Sequence, residues 1–204
     1  MREEAWGLFD SAVVLSQIRG AWIWDHIRER RDKVEWHKLI WFPAHVPKFS
    51  IVAWMVILDR FPTKDRLARF GIQVDHICGL CGVELESRNH LFLECSFARE
   101  VWDVILQTCG LHNQPILCWD DSLHWLALNL RGKSLLVCIL KLAWTGFVYF
   151  LWEERNHRLF RGVNRSVDAI VHKIRDSIRI KLYRCSMNLI DDVNRRLCLD
   201  WDLS

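Results

Sequence analysis

The feature that most restricts this chain is a short run of metal-donor residues. Cys78-Gly-Leu-Cys81-Gly82 is followed by His90 after eight residues and by Cys95 after four more, a spacing of C-x2-C-x8-H-x4-C. Zinc takes four tetrahedral sulfur and nitrogen donors, and two residues between the first cysteines let one tight turn aim both sulfurs at one ion. Gly82 suits that turn, because the residue after the second thiolate often needs a positive φ. The second pair is harder to satisfy. On a continuous α-helix five residues rotate by about 500°, which would leave His90 and Cys95 about 140° apart. The spacing therefore predicts a helix that ends near Glu94, with a second starting at Ser96. The competing reading is buried thiols beside a core histidine. Four donors in this order, inside a turn-rich segment, favour a single closed, structural Zn²⁺ site on Cys78, Cys81, His90 and Cys95, with His76 as a substitute donor. Four protein donors leave no open position for a reactive water. Glu84 and Glu86 are therefore not read as catalytic bases.

The chain has eight cysteines in 204 residues. Cys109, Cys118, Cys138, Cys185 and Cys198 have no C-x2-C partner, and a second site on Cys109, His112 and Cys118 has unspecific spacing, so these read as core or partly exposed thiols. The first thirty residues carry Arg2, Glu3, Glu4, Asp10 and Arg19 with no uninterrupted apolar stretch, unlike a signal or transit peptide. A reducing, intracellular setting is expected, nuclear or cytoplasmic and not secreted. The composition, 51% hydrophobic and 26% charged with nine Gly and four Pro, excludes disorder, collagen and coiled coil.

Periodicity predicts a mainly α chain. Apolar residues from Trp6 to Ile27 recur at three- and four-residue spacing, and the charged stretch Arg28 to Lys33 follows as a connector. Trp36 to Trp41 fits either a short strand or a turn of helix. Phe49 to Leu58 is apolar all round, as in a helix buried within a core. Thr63 is placed to cap a short helix Lys64 to Phe70 that stops at Gly71. Beyond the turn-rich segment Cys78 to Ser87, a helical pattern covers Arg88 to Thr108, interrupted where Ser96 could cap a second helix, and ends at Gly110. Asn113 to Asp121 reads as a connector, Ser122 to Leu130 as a short helix, and Ser134 to Leu159 as a long one. Ser166 caps a final helix with one apolar face at Val167, Ile170, Val171, Ile174, Ile178 and Leu182. The expected architecture is a helical domain with a small Cys-Cys-His-Cys knuckle inserted, followed by a long helix and a basic C-terminal helix. Its expected division is 20–108 for the zinc-binding domain and 109–204 for a helical extension packed on it.

The run Leu135 to Trp152 is eighteen residues long and polar only at Lys141, Thr145 and Tyr149. It approaches the roughly 20 apolar residues that a bilayer requires. Lys141 within it would cost about 3 kcal/mol on insertion, and Arg131, Lys133, Arg155 and Arg158 flank both ends. A buried core helix is the expectation, without a membrane partner.

The stretch from Trp36 to Leu106 closely resembles the zinc-binding domain at the C-terminal end of plant reverse transcriptases of LINE-type, non-LTR retrotransposons. The resemblance rests on Trp36-His-Lys-Leu-Ile-Trp41-Phe-Pro43, on Pro47-Lys48-Phe49-Ser50 leading into Ala53-Trp54, and on Arg60-Phe-Pro62-Thr63-Lys-Asp65-Arg66-Leu67 with Gly71-Ile72. It continues through Cys78-x2-Cys81, Glu86-Ser87, His90-Leu91-Phe92, Cys95 and Val101-Trp102. Leu151-Trp152-Glu-Glu-Arg155-Asn156-His-Arg158-Leu-Phe160 looks like the segment that follows that domain in these elements. Glu35 and Ile51-Val52 depart mildly from the family's pattern. The family's polymerase carries a Tyr-x-Asp-Asp site, and some relatives a ribonuclease H domain; neither motif occurs in this sequence. Asp120-Asp121 and Asp191-Asp192 read as solvated surface. The resemblance thus implies an accessory module without polymerase activity of its own, a possible partner of the polymerase encoded by its parent element.

The net charge of +3 is too small to announce a nucleic-acid partner, but it is unevenly distributed. Nine Lys and Arg stand against two acids between Arg155 and Arg184, a local +7 that leaves −4 for the rest. Arg175 and Arg179, with His172, are spaced to follow a phosphate backbone, and Arg60, Lys64, Arg66 and Arg69 form a second cluster beside the zinc segment. Of the twelve tryptophans, Trp54, Trp102, Trp144 and Trp152 lie in apolar runs and read as core, whereas Trp36 and Trp41 lie between charged stretches and could stack on bases. The functional expectation is a zinc-binding accessory domain that binds RNA or single-stranded DNA. The alternatives are a zinc-stabilised structural or protein-interaction module, or a retroelement relic without function.

Overall fold

A computed structural model describes residues 34–111, 118–183 and 192–203. From Glu35 onward these belong to one compact unit, Glu35–Ser204. The expected helix Trp6 to Ile27 and connector Arg28 to Lys33, together with His112, most of the Asn113 to Asp121 connector, Arg184, Cys185 and Asp191, lie outside the described residues.

Those residues are mainly helical and hold no strand; Ile77 and Leu85 make an isolated antiparallel bridge. The ambiguous segment after Trp36 is a single helical turn, α1, His37–Ile40. Helix α2, Pro47–Ile57, starts two residues before the apolar run because Pro47 takes the first turn, where its missing N–H costs nothing. Its Ser50 is fully buried and donates from Oγ to the Ile40 carbonyl at 2.7 Å, tying α2 to α1. Helix α3, Lys64–Arg69, gives way to Gly71 at φ +79°. Thr63 precedes it as expected, but its hydroxyl donates to the Asp65 carboxylate at 2.6 Å instead of capping a backbone N–H.

Helix α4, Ser96–Thr108, follows the knuckle, and Gly110 takes φ +70° just beyond it. Helix α5, Trp119–Asn129, begins three residues before Ser122, because the Cys118 sulfur accepts from the Asp121 N–H and serves as the cap. The long helix α6, Leu135–Arg161, is capped by the Ser134 hydroxyl and closed by Gly162 in the left-handed region. Helix α7, Val167–Leu182, is capped by Ser166 and buries Ile170, Val171, Ile174, Ile178 and Leu182, the face read from its periodicity. Helix α8, Asp192–Asp200, was not anticipated. It is followed by Trp201, 1% exposed, and Leu203, both in the core.

The core is built around α6, against which α2, α4, α7 and α8 pack. The helix is long and apolar enough to cross a membrane by length and composition, and 67% of its most apolar window is buried inside the protein. Lys141 is buried on it, its Nζ 5.5 Å from the Phe42 ring centroid, and the burial pulls its pKa below the usual lysine value. Toward the other end of α6 Glu154 and Arg155 are buried as well, and both serve the metal-donor segment.

Candidate metal centre

The knuckle is a tight loop held by its own backbone. Cys78 N–H donates to the Glu84 carbonyl at 2.7 Å, Glu86 N–H to His76 at 2.8 Å, and Gly82 N–H to Cys78 at 2.9 Å. Gly82 takes φ +70°, the positive value that the spacing anticipated. The Leu80 N–H points at the Cys78 sulfur, 3.4 Å away. Two residues between the cysteines thus suffice to turn both sulfurs inward.

The second half of the site breaks where the spacing predicts, with one helical segment ending at Glu94 and the next starting at Ser96, but the first is not an α-helix. His90–Glu94 is a π-helical turn, whose wider i→i+5 ring is closed by Cys95 N–H donating to His90 at 2.7 Å. Ser87 supports its start, accepting from His90 N–H at 3.1 Å. Cys95 then leaves helical geometry, at φ −58° and ψ 127°. The sequence placed the relief of the angular mismatch at a helix end near Glu94. Here the widened turn begins the correction at His90, and Cys95 rather than Ser96 occupies the N-cap position of α4.

The four donor atoms of Cys78, Cys81, His90 and Cys95 all lie within 4.8 Å of one another, with the Cys81 sulfur 3.3 Å from His90 Nε2. Tetrahedral zinc with bonds of about 2.3 Å to sulfur and 2.0 Å to nitrogen separates its donors by roughly 3.5–3.8 Å, so side-chain adjustments of up to about 1 Å let the cluster enclose one ion. Cys78 and Cys95 are 1% and 0% exposed, and His90 is also buried. The contact with Cys95 and burial push the Cys78 thiol well up, while the hydrogen bond from Cys78 holds Cys95 down. A divalent cation is what permits all three to be thiolates at once. The donor set fits one zinc ion. His76 is exposed and outside the cluster.

A buried ionic network joins the knuckle to α6. Glu86 has no exposed side-chain surface and meets Arg155, 2% exposed, at 2.6 Å through Nη2, with Nε at 3.2 Å from each oxygen. The same carboxylate accepts from the Lys64 N–H at 3.0 Å, which anchors α3. One turn further, Arg158 donates to the Leu80 carbonyl at 2.6 Å and to Glu154 at 2.8 Å, and its guanidinium lies 4.3 Å from the Phe97 ring centroid. By sequence Arg155 and Arg158 belong to a basic segment, and Glu86 is weighed only as a catalytic base and set aside. They are instead what docks the metal segment on the core.

The same accounting changes the rest of the +7 segment. Arg165 and Lys173 converge on Glu153, which burial would raise but which these two cations hold below the usual carboxylate range. Arg175 donates to the Asp200 carbonyl, and Arg179 bonds Asp202 at 2.8 Å and Asp176 at 3.1 Å. These two arginines, placed by sequence on a phosphate track, fasten the end of α8. Arg179→Ala should lower stability by no more than about 1 kcal/mol, as for exposed pairs, and loosen α8 selectively. Amide hydrogen exchange checks this: faster exchange confined to α7 would contradict it.

In the second cluster Lys64 is 5% exposed and its Nζ is used by Asp75 at 2.6 Å and the Ile77 carbonyl at 2.7 Å, which removes it from the candidate phosphate contacts. Arg66 binds the Asp59 carbonyl and lies over Phe70, and Arg69 pairs with Asp65 at 3.0 Å. Arg60 is exposed. Trp36 and Trp41 are half-buried and pack against the core, and Trp41 meets the His45 ring edge-on at 5.5 Å. Of the runs read as core, Trp144 is buried, Trp102 and Trp152 are half-buried, and Trp54 is 39% exposed.

Residues 20–102 fit the family model described as zinc-binding in reverse transcriptase, a span of about two-fifths of the chain that contains all four donors. No curated protein and no solved structure matches the chain. The matched family binds zinc, and the cluster within the matched span is suited to one zinc ion.

Proposed function

We propose that this chain is a zinc-organised accessory module of the plant LINE-type retroelement kind, which binds RNA or single-stranded DNA and has no polymerase activity of its own. The observation that carries the reading is the match of residues 20–102 to a zinc-binding family of reverse transcriptases, with the four donors gathered inside it. A zinc centre of four protein donors stabilises a fold and leaves no position for substrate, so its contribution is structural. A module of this kind beside a polymerase acts by holding template or transcript, and that takes cations and ring faces rather than a reactive centre. It works where thiols stay reduced, in the nucleus or cytoplasm, with α6 serving as a core helix and not as a membrane span.

A second reading, a structural or protein-interaction module, is favoured by one observation. Six of the nine basic residues between Arg155 and Arg184 are used inside the fold: Arg155, Arg158, Arg165, Lys173, Arg175 and Arg179. The two readings separate on salt dependence. Nucleic-acid binding releases counterions, so with three or four phosphates engaged log K should fall against log salt with a slope of about −2 to −3. Fluorescence anisotropy of a labelled single-stranded oligonucleotide with the full chain measures it. Absence of binding, or affinity indifferent to salt, would decide for the second reading.

A further inference from the structure

An open cleft of about 370 Å³ runs along α6, lined among others by Tyr149, Trp152, Asn156, Phe160 and Arg161. The volume lies in the range of ligand clefts, about 300–1,000 Å³. Tyr149, Trp152, Asn156 and Phe160 recur at three- and four-residue intervals with Arg161 next to the last, so they form one stripe roughly 18 Å long on the helix. None of them belongs to the metal centre, and of these residues the sequence analysis counts only Arg161 toward a nucleic-acid partner, as one charge of the basic segment.

Tyr149, Trp152 and Phe160 make the stripe aromatic, and the first two rings are held from behind. Tyr149 packs on Phe49 at 4.8 Å between centroids, and Trp152 on Phe61 at 4.4 Å. Phe160 is 75% exposed, an unusual position for a phenylalanine. Asn156 accepts from Arg155 through Oδ1 at 3.1 Å, which leaves its amide NH₂ as a donor.

The surroundings are cationic. Lys48 is exposed, with its Nζ 4.9 Å from the Tyr149 ring centroid. Arg60 is exposed next to Phe61, whose ring touches Trp152. Arg161 is exposed at the far end, bonded to His157. The acid in the lining, Glu153, is already neutralised by Arg165 and Lys173. Ring faces inside a rim of cations complement a polyanion whose bases are unpaired. Apolar partners would leave the cations unmatched, and an acidic peptide would leave the rings without stacking partners.

We infer that this cleft seats consecutive bases of a single-stranded nucleic acid, with Phe160 as the exposed stacking face and Lys48, Arg60 and Arg161 on the phosphates. The inference rests on the nucleic-acid reading above and locates its surface. Stacking on ring faces rather than reading base edges favours affinity without sequence preference.

The test uses the full, zinc-loaded chain with labelled twelve-nucleotide oligo(U) and oligo(dT), and with a DNA duplex of the same length. The double variant Phe160→Ala with Arg161→Ala changes two exposed side chains, so the fold should survive, as circular dichroism and zinc content verify. It should weaken binding of both single strands by roughly 10-fold or more, whereas Arg195→Ala, which removes one exposed charge elsewhere, should change it less than about 2-fold. The duplex should bind more weakly than either strand. Single-strand binding by the wild type that the double variant retains undiminished overturns the cleft and leaves the nucleic-acid reading standing. Duplex bound as tightly as single strand also overturns the cleft, because paired bases cannot stack there. No binding by the wild type overturns both.

Discussion

Substituting Cys78 with serine is expected to remove the zinc and lower the unfolding free energy by about 4 kcal/mol or more. A structural zinc ion contributes about 10–16 kcal/mol to zinc-finger peptides, where it is most of the fold. Here the knuckle also leans on α6 through Glu86 and Arg158, so part of the loss is buffered. The serine oxygen is a poor replacement for a thiolate, and Cys78 is 1% exposed, so water cannot readily take its place. Elemental analysis should fall from about one zinc per chain to a small fraction, and the denaturant midpoint should fall with it. A chelator should reproduce the effect on the wild type and add little to the variant. A variant with full zinc content, or with an unchanged midpoint, would contradict the assignment of Cys78.

The second large effect is expected at Glu86. Its side chain is fully buried and makes hydrogen bonds to the Arg155 guanidinium and to the Lys64 N–H. Glu86→Gln keeps the shape but leaves the arginine charge buried without its counter-charge, a change that costs about 3–5 kcal/mol when one partner of a buried pair is removed. Replacing both, Glu86→Gln with Arg155→Met, removes the stranded charge. The double variant should therefore be more stable than the sum of the single changes allows by about 1 kcal/mol or more. Zinc content should stay near one per chain in all three, which separates docking of the knuckle from metal binding. A loss below about 1 kcal/mol for Glu86→Gln would show that the knuckle docks by other contacts. The same pair bears on how the chain is divided. Glu86 and Arg155 stand on opposite sides of the expected boundary at 108/109, so the metal segment and the long helix depend on each other.

How much of this was legible in the sequence follows the range of each interaction. Donor spacing, the positive-φ glycine at Gly82, and the Ser166 cap are local, and each is readable within a few residues, whereas Ser134, which the periodicity places inside the long helix, is its cap. The π-turn at His90–Glu94 was not, because an α-helical pattern and a widened turn share the same apolar spacing; only the geometric conflict between His90 and Cys95 hinted at it. The cysteine cap of α5 was missed because Ser122 carries the stronger N-cap preference. Arg155 looked like a solvated charge because its partner is 69 residues away, and nothing local distinguishes a buried arginine from an exposed one. Helix α8 went unread because it is short, and its anchors, Trp201 and Leu203, lie beyond its end. The nucleic-acid candidates suffered the same limitation. Sequence picked the arginines by density, whereas the fold uses most of them internally and leaves cations around an aromatic stripe on α6.

The most direct measurement is X-ray absorption at the zinc edge on the purified full chain, combined with metal stoichiometry. One zinc per chain, with three sulfur donors near 2.3 Å and one nitrogen near 2.0 Å, is the expected result for Cys78, Cys81, His90 and Cys95. Protein that folds with the same stability without metal, or zinc in a shell of oxygen donors, would contradict it.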